Sequence, residues 1–296
     1  MTIYCLWYIN NYMTGRKWKT GREVCNILSN YKIGEKIYQM KVETNRKISN
    51  LDETASECLS KIVDPGNYIW VRPDNQPRPM LARPMSVHST NRKNAISIIY
   101  KIKAAGSTNP TGTQLLSHMK TGDNIEIVGP SGGNLFTIDN NINKIALIGG
   151  GVGVSPLSFL AEEYHKLNKD IHIFAGFANK KEIICERKLE KISDYFNLAT
   201  TDGSKGYHGN IIDAFAESTY DDFNMIFACG PKKMYQALKK LNIKTPTEVS
   251  VEKRGACYGT GCCHGCGLSV KEGNKKVYKR VCTDGPIFNL KDMILE

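Results

Sequence analysis

Within CYGTGCCHGC the chain places Cys257, Cys262, Cys263 and Cys266, and Cys282 follows alone. Thiolates at this density are soft ligands suited to zinc or to iron–sulfur clusters, and Gly259, Gly261 and Gly265 leave the backbone free to bend around them. The other five of the ten cysteines, Cys5, Cys25, Cys58, Cys185 and Cys229, are scattered singly and read as small core residues. A disulfide framework is not expected, because no leader pattern is read in the opening MTIYCLWYINNYM and cytosolic thiols stay reduced. His264 lies in the loop, but a Rieske-type site needs two histidines, so it reads as a solvated residue.

A second group of residues suits phosphates. IALIGGGVGVSP puts Gly149, Gly150, Gly151 and Gly153 between a strand and a helix, with Ser155 as the expected N-cap and Pro156 at the first helical position. Missing side chains let a phosphate approach the positive end of the helix, although glycines also serve plain tight turns. In FACGPKKM, Cys229, Gly230 and Pro231 end another strand, so two such turns would make one crevice; TTDGSKGYHGN would add to the same edge. Upstream, Arg83 in LARPMS could clamp a pyrophosphate. Ser86 and Thr113 could donate hydroxyls, and Gly112 could let backbone approach.

These residues need a scaffold, and the chain of 296 residues is long enough for about two domains. Residues 32–140 carry short β-like runs (KIYQMKV, NYIWVRP, AISIIYKI, DNIEIVG) between Pro, Gly, Asn and Asp clusters, which predicts an antiparallel barrel or sandwich. Residues 141–248 alternate strands with helical segments, which predicts a doubly wound parallel sheet in an α/β domain. A small cysteine-bearing module occupies 249–296, and 1–31 form an N-terminal extension of unreadable role. The net charge of +11 is spread along the chain, so it predicts a solvated basic surface rather than a nucleic-acid groove. It favours acidic partners or anionic ligands. No apolar run approaches about 18 residues, so no membrane span is expected, and the chain reads as cytoplasmic.

The order of RPMS, GTQLLSHMKTGDNIEIVGPSGG, IGGGVGVSPL, TDGSKGYHG and CGPKKM resembles the ferredoxin–NADP reductase superfamily over about residues 32–245. The resemblance implies a flavin-binding β barrel followed by a nicotinamide-nucleotide domain. FAD contacts would come from Arg83, Pro84, Met85 and Ser86, from Ile99, Tyr100 and Lys101, and from Gly112 and Thr113. The NAD contacts implied are Gly149, Gly150, Gly151, Gly153, Cys229, Gly230 and Pro231. Thr201 and Asp202 stand where a 2′-phosphate would need an arginine, which favours NAD over NADP.

YKRVCTDGPIF behind the cysteine loop is similar to the electron-transfer subunits of class 1B dihydroorotate dehydrogenase, the PyrK type, which carry a [2Fe–2S] cluster on C-x4-C-x2-C plus a distal cysteine. Here x4 from Cys257 reaches Cys262, but the next x2 lands on Gly265; counted from Cys263, x2 reaches Cys266 and the first position falls on Tyr258. The ligands this resemblance implies are Cys257, Cys263, Cys266 and Cys282, with a one-residue bulge at Tyr258 and Cys262 in reserve. YGTGCCHGC also resembles the small subunit of the NADH-dependent ferredoxin–NADP oxidoreductase, in which an Asp takes the Tyr258 position.

The resemblance implies that electrons pass from the FMN of a catalytic dihydroorotate dehydrogenase partner through [2Fe–2S] and FAD to NAD+ in pyrimidine biosynthesis, within a two-plus-two heterotetramer. No acid or base side chain is required, and Cys229 could position the nicotinamide. One alternative is the FAD and [2Fe–2S] subunit of a ferredoxin–NAD(P) oxidoreductase or sulfide-dehydrogenase-like complex, partnered by ferredoxin or a large flavoprotein subunit. Another is a zinc-stapled nucleotide-binding module without redox activity, which would lack flavin and iron–sulfur absorption.

Overall fold

The computed structural model describes residues 21–44, 58–74, 81–103, 110–218 and 222–295. Six antiparallel strands, β1 (Gly21–Gly34), β2 (Ile37–Glu43), β3 (Tyr68–Pro73), β4 (Arg83–Thr90), β5 (Ala95–Lys101) and β6 (Asn124–Ser131), close into a barrel in the order β1-β2-β5-β4-β3-β6. Alternation along each strand fills the interior with Met40, Ile69, Val71, Val87, Ile98 and Ile127. On β3 the intervening Tyr68 and Trp70 join a different buried cluster, one that contains Cys266 and Cys282. Helix α1 (Leu59–Ile62) and helix α2 (Gly112–His118) lie between barrel strands, and α2 opens on a capping box in which Thr111 and Gln114 satisfy each other's backbone N–H.

The barrel begins earlier than the boundary expected at 32. The first half of β1 pairs with β6, from Gly21 opposite Gly129 to Asn26 opposite Asn124, and its second half pairs with β2. Asn26, Asn30 and the mixed polarity of GREVCNILSNYKIG hide so long a strand from an alternation pattern. Residues 1–20, with the apolar opening stretch, lie outside the described residues. Strand β4 was also hidden, because Pro84 within it reads as a strand breaker.

The second sheet runs β10-β9-β8-β7-β11-β12-β15, built from β7 (Lys144–Gly150), β8 (Asp170–Phe177), β9 (Tyr195–Thr200), β10 (Tyr207–His208), β11 (Met225–Cys229), β12 (Thr247–Ser250) and β15 (Ile287–Asn289). All pairings are parallel except that of β15 with β12. Chain order reverses between β7 and β11, so a crevice opens at their carboxyl ends. Four helices cross over this sheet: α3 (Val154–Lys166), α4 (Glu186–Ile192), α5 (Ile211–Ala216) and α6 (Lys232–Lys240). Gly153, not Ser155, caps α3, because the 3-10 turn Gly151–Gly153 runs straight into it; Pro156 still falls in the first turn, where no donor is missed. Helix α4 is shorter than EIICERKLEKISDYF suggests, since Cys185 at φ 61° breaks the helical path ahead of it.

The cysteine segment is an insertion within this sheet rather than an appended unit. It leaves β12, forms the hairpin of β13 (Gly267–Glu272) and β14 (Lys275–Arg280) and helix α7 (Val281–Asp284), and returns as β15 beside β12. The boundary expected at 248/249 therefore falls inside β12, and the three residues of β15 are too few to show a period. Asn134 Nδ2 donates to Asp284 O at 2.9 Å and Asn134 N to Gly285 O at 2.9 Å, which ties this insertion to the end of the barrel.

Barrel and sheet also meet at His88. Its Nδ1 lies 3.1 Å from the Ser155 carbonyl in the first turn of α3, and a carbonyl only accepts, so Nδ1 carries the proton. Burial, followed by the Lys188 charge, lowers its pKa to about 4 from the usual 6.5. A depressed histidine stabilises the fold fully above the unfolded value and loses that contribution as pH falls toward the folded one. Stability should therefore drop by about 3 kcal/mol between pH 6.5 and pH 4 on account of this group. Urea midpoints at pH 7.5 and pH 4.5 check this: His88→Asn should lose less on acidification than the parent chain, and equal losses would contradict the assignment.

Candidate functional site

A cavity of about 760 Å³ lies where the carboxyl ends of β7, β8, β9, β11 and β12 face the barrel. Its floor is two touching turns. A Cβ on Gly153 would stand 2.2 Å from the Cys229 carbonyl oxygen, and one on Gly150 would stand 2.8 Å from Pro231 Cδ, so only glycine lets the turns after β7 and β11 meet. Gly151 between them holds a φ of +55°. The Tyr235 hydroxyl fixes the second turn, accepting from Gly230 N at 2.8 Å and donating to Ser250 O at 2.5 Å. The Ser155 hydroxyl lines the cavity, is almost fully buried, and finds no hydrogen-bond partner among the described residues. With the amino end of α3 beside it, this is a fit for phosphate or ribose oxygen.

The barrel side brings positive charge. The Arg83 guanidinium lies against Gly112, where a Cβ would come within 2.9 Å of its Cζ, and burial followed by the nearby Arg254 lowers its pKa. Two guanidiniums crowded at one cavity suit a diphosphate, which satisfies planar forks in pairs. Glu252 lines the cavity and is exposed. Desolvation by the surrounding protein raises its pKa against the pull of Lys103 and Arg254. Burial, with Glu252 as the next cause, pushes the Cys229 thiol up to about 12, so at neutral pH it is an uncharged wall and no nucleophile.

The thiols gather on the far side of β3 from the barrel interior. Cys266 and Cys282 Sγ are 3.3 Å apart. Cys282 shares its proton with both Cys257 and Cys266, which lowers those two below the usual thiol range and holds Cys282 above it. Cys257 also interacts with Cys263, whose sulfur accepts from Ala256 N at 3.3 Å and Gly265 N at 3.4 Å. Cys262 Sγ sits instead 3.3 Å from Thr260 Oγ1, and its side chain is exposed. The loop turns on Thr260 N to Cys257 O at 3.2 Å, with Tyr258 at φ 53°, Gly259 at 86° and Gly261 at 79°. His264 is exposed.

Among the described residues no three His, Cys, Asp or Glu side chains close around one ion. The sulfurs form one chain of neighbours, Cys263 to Cys257 to Cys282 to Cys266. Four thiolates are what a two-iron centre takes.

Most residues singled out in the sequence come together here. Arg83, Pro84, Met85, Ser86, Ile99, Tyr100, Lys101 and Thr113 line the cavity from the barrel, and Gly150, Gly151, Gly153, Thr201, Cys229, Gly230 and Pro231 line it from the sheet. Gly112 serves indirectly, by admitting Arg83. Gly149 does not line the cavity: its Cα packs on Val154, where a Cβ would be 2.6 Å from Cγ2. Asp202 is exposed in the turn after β9, where Ser204 holds its carboxyl below the usual range, and it lies beside the lining rather than in it. Ser155, expected only as a helix cap, lines the cavity, and so, without having been singled out, do Tyr68, Glu252 and Arg254. The charges of VEKR just ahead of the cysteine loop were a usable signal for the last two.

The iron-sulfur cluster binding domain of dihydroorotate dehydrogenase B, as a family, matches residues 252–294, and the oxidoreductase NAD-binding domain matches 147–240. The chain is 34% identical over 251 residues to the dihydroorotate dehydrogenase B (NAD(+)) electron transfer subunit of Caldanaerobacter subterraneus subsp. tengcongensis, covering 84% of this chain and 94% of that one. It is 30% identical over 278 residues to the protein of the same name from Bacillus caldolyticus, covering 93% and 99%. Among solved structures, that of an NADH-dependent reduced ferredoxin-NADP oxidoreductase overlays with a TM-score of 0.74 at 23% identity, over 96% of this chain and 92% of that one. The flavohem-like FAD/NAD binding domain of nitric oxide dioxygenase from Vibrio cholerae overlays at 0.60 and 20% identity, over 77% and 98%. These overlays establish the reductase fold. No helix among the described residues is long and apolar enough to cross a membrane.

Proposed function

The chain belongs to the family of dihydroorotate dehydrogenase B electron transfer subunits, and from that membership we propose how it works: it carries electrons between a catalytic partner and NAD through [2Fe–2S] and FAD. The observation that carries this reading is one chain in which a dinucleotide cavity and a four-thiol set share a wall, strand β3. Bound, a flavin exchanges hydride on one side and single electrons on the other, which neither nicotinamide nor a two-iron centre does alone.

The chain's own residues bind and orient. Arg83, Ser86 and the Gly112–Thr113 turn hold the flavin diphosphate, and Pro84, Met85 and Ile99–Lys101 line its ring and ribityl side. The turns Gly150–Gly153 and Cys229–Pro231 hold the nicotinamide nucleotide, with Thr201 and Asp202 at its ribose end. Cys257, Cys263, Cys266 and Cys282 ligate the cluster. Cys229 acts by shape, since its thiol stays protonated. The partner is an FMN-bearing subunit that oxidises dihydroorotate to orotate, in a two-plus-two assembly.

Capture of the tagged chain from its own host tests this. Recovery with a subunit that oxidises dihydroorotate, the complex reducing NAD+, at about one FAD and two irons per copy of this chain as a flavin and a two-iron centre on four thiolates require, is the expected result. Recovery with ferredoxin or with a large glutamate-synthase-like flavoprotein, and no dihydroorotate oxidation, would overturn it.

A further inference from the structure

Tyr68 belongs to two sites. It lines the cofactor cavity beside Ser86, its partner across the β3–β4 ladder, and it packs in the buried cluster that holds Cys266, Cys282 and Val281. Its phenol is within electrostatic reach of Cys282, Cys266 and Cys257, and Ser131 faces its oxygen. A tyrosine hydroxyl is a proton donor at neutral pH, and this one is placed on the cysteine side of the wall.

The same wall carries a buried donor with nothing to bond. Trp70 Nε1, on a residue 1% exposed, finds no hydrogen-bond partner among the described residues, and Ser131 Oγ, on a residue 3% exposed, has only the Tyr68 oxygen facing it. Both face the cysteine loop: a Cβ on Gly259 would stand 2.6 Å from Trp70 Nε1 and 2.7 Å from Ser131 Oγ. Tyr258 of that loop packs on the Trp70 ring at 6.3 Å. Buried donors without acceptors are costly and rare, and a thiolate-ligated cluster brings sulfur acceptors to this place.

We propose that Tyr68 is the positioning residue that couples the cofactor cavity to the cysteine cluster, its ring filling the wall between them and its hydroxyl, with Ser131 and Trp70, holding the cluster loop against β3. The proposal rests on the redox reading above and adds the route within the chain. With FAD and cluster bound, hydride from NADH would supply two electrons on the cavity side; one would cross this wall to the two-iron centre, which takes one, and the other would stay on the flavin until the centre passes its electron on to the catalytic partner. No proton need cross with it.

The full chain, loaded with FAD and cluster, is mixed with NADH without oxygen, and flavin bleaching and cluster reduction are followed in the same trace. Tyr68→Phe keeps the ring and loses a donor that favours the more negative, reduced cluster. The equilibrium constant for electron transfer from flavin to cluster should fall roughly tenfold, the worth of one hydrogen bond to a charged group. Tyr68→Leu opens the wall, and cluster reduction relative to flavin reduction should slow by roughly tenfold or more, as misplacement of reacting centres does. A Tyr68→Phe chain that keeps FAD but takes up no cluster also supports the positioning role. Unchanged equilibrium in Tyr68→Phe overturns the donor role, and an unchanged rate ratio in a folded Tyr68→Leu overturns the bridge. A parent chain without flavin or cluster absorption overturns the redox reading itself, before either variant is made.

Discussion

Replacing Cys263 with serine should remove the iron–sulfur absorption of the purified chain, and replacing Cys262 should leave it. Two adjacent cysteines offer alternative registers: x4 from Cys257 reaches Cys262, whereas x2 back from Cys266 reaches Cys263, the ligand the sequence resemblance already implied. The fold favours Cys263. Both side chains are exposed, but the Cys263 sulfur is cradled by two backbone N–H groups, from Ala256 and Gly265, and is linked to Cys257, whereas the Cys262 sulfur lies against Thr260 Oγ1. Donors aimed at a sulfur stabilise thiolate and tune a cluster, and serine, a harder ligand, serves a two-iron centre poorly. Iron content and the visible and paramagnetic-resonance spectra of both variants, purified without oxygen, decide it. The opposite outcome, bleaching only with Cys262→Ser, would overturn this register and make Cys262 the ligand. Because the loop is strung between β12 and β15, loss of the cluster should also lower the melting temperature of the whole sheet, since metal binding energy is folding energy.

Gly153→Ala should abolish most NADH turnover while leaving the flavin and cluster in place. The added methyl would stand 2.2 Å from the Cys229 carbonyl oxygen, a backbone atom that cannot rotate away. Relief requires the turns after β7 and β11 to part by about an ångström, a displacement that can cost on the order of a hundredfold in rate where it misplaces a reacting group. Overpacking of this kind destabilises by about 1–3 kcal/mol. NADH oxidation with a small artificial acceptor, read beside the flavin and cluster spectra, separates lost nicotinamide binding from unfolding. Parent-like turnover in this variant would show that the two turns do not jointly hold the nucleotide.

Much of the architecture was legible because its signals are local. Glycine-rich turns after apolar strands, the alternation of NYIWVRP and AISIIYKI, and helix periods between parallel strands each arise from neighbours in sequence. What escaped had its cause elsewhere in the chain. β1 divides its hydrogen bonds between β6 and β2, β4 carries Pro84 inside a barrel wall, and the three residues of β15 form a strand only because β12 is already there. Gly149 resembles the other turn glycines in sequence, but its role is to seat Val154.

By itself the sequence determined the chemistry on offer: soft thiolates in one loop, phosphate-admitting turns at strand ends, and a flavin-type arginine segment, because ligand type and backbone freedom are properties of residues. Only the tertiary structure decided which sulfur faces the others, that Arg254 joins Arg83, and that Tyr68 stands between cavity and cluster. Those are relations between segments far apart in the chain. Their distances are set by barrel closure and sheet pairing, not by spacing along it.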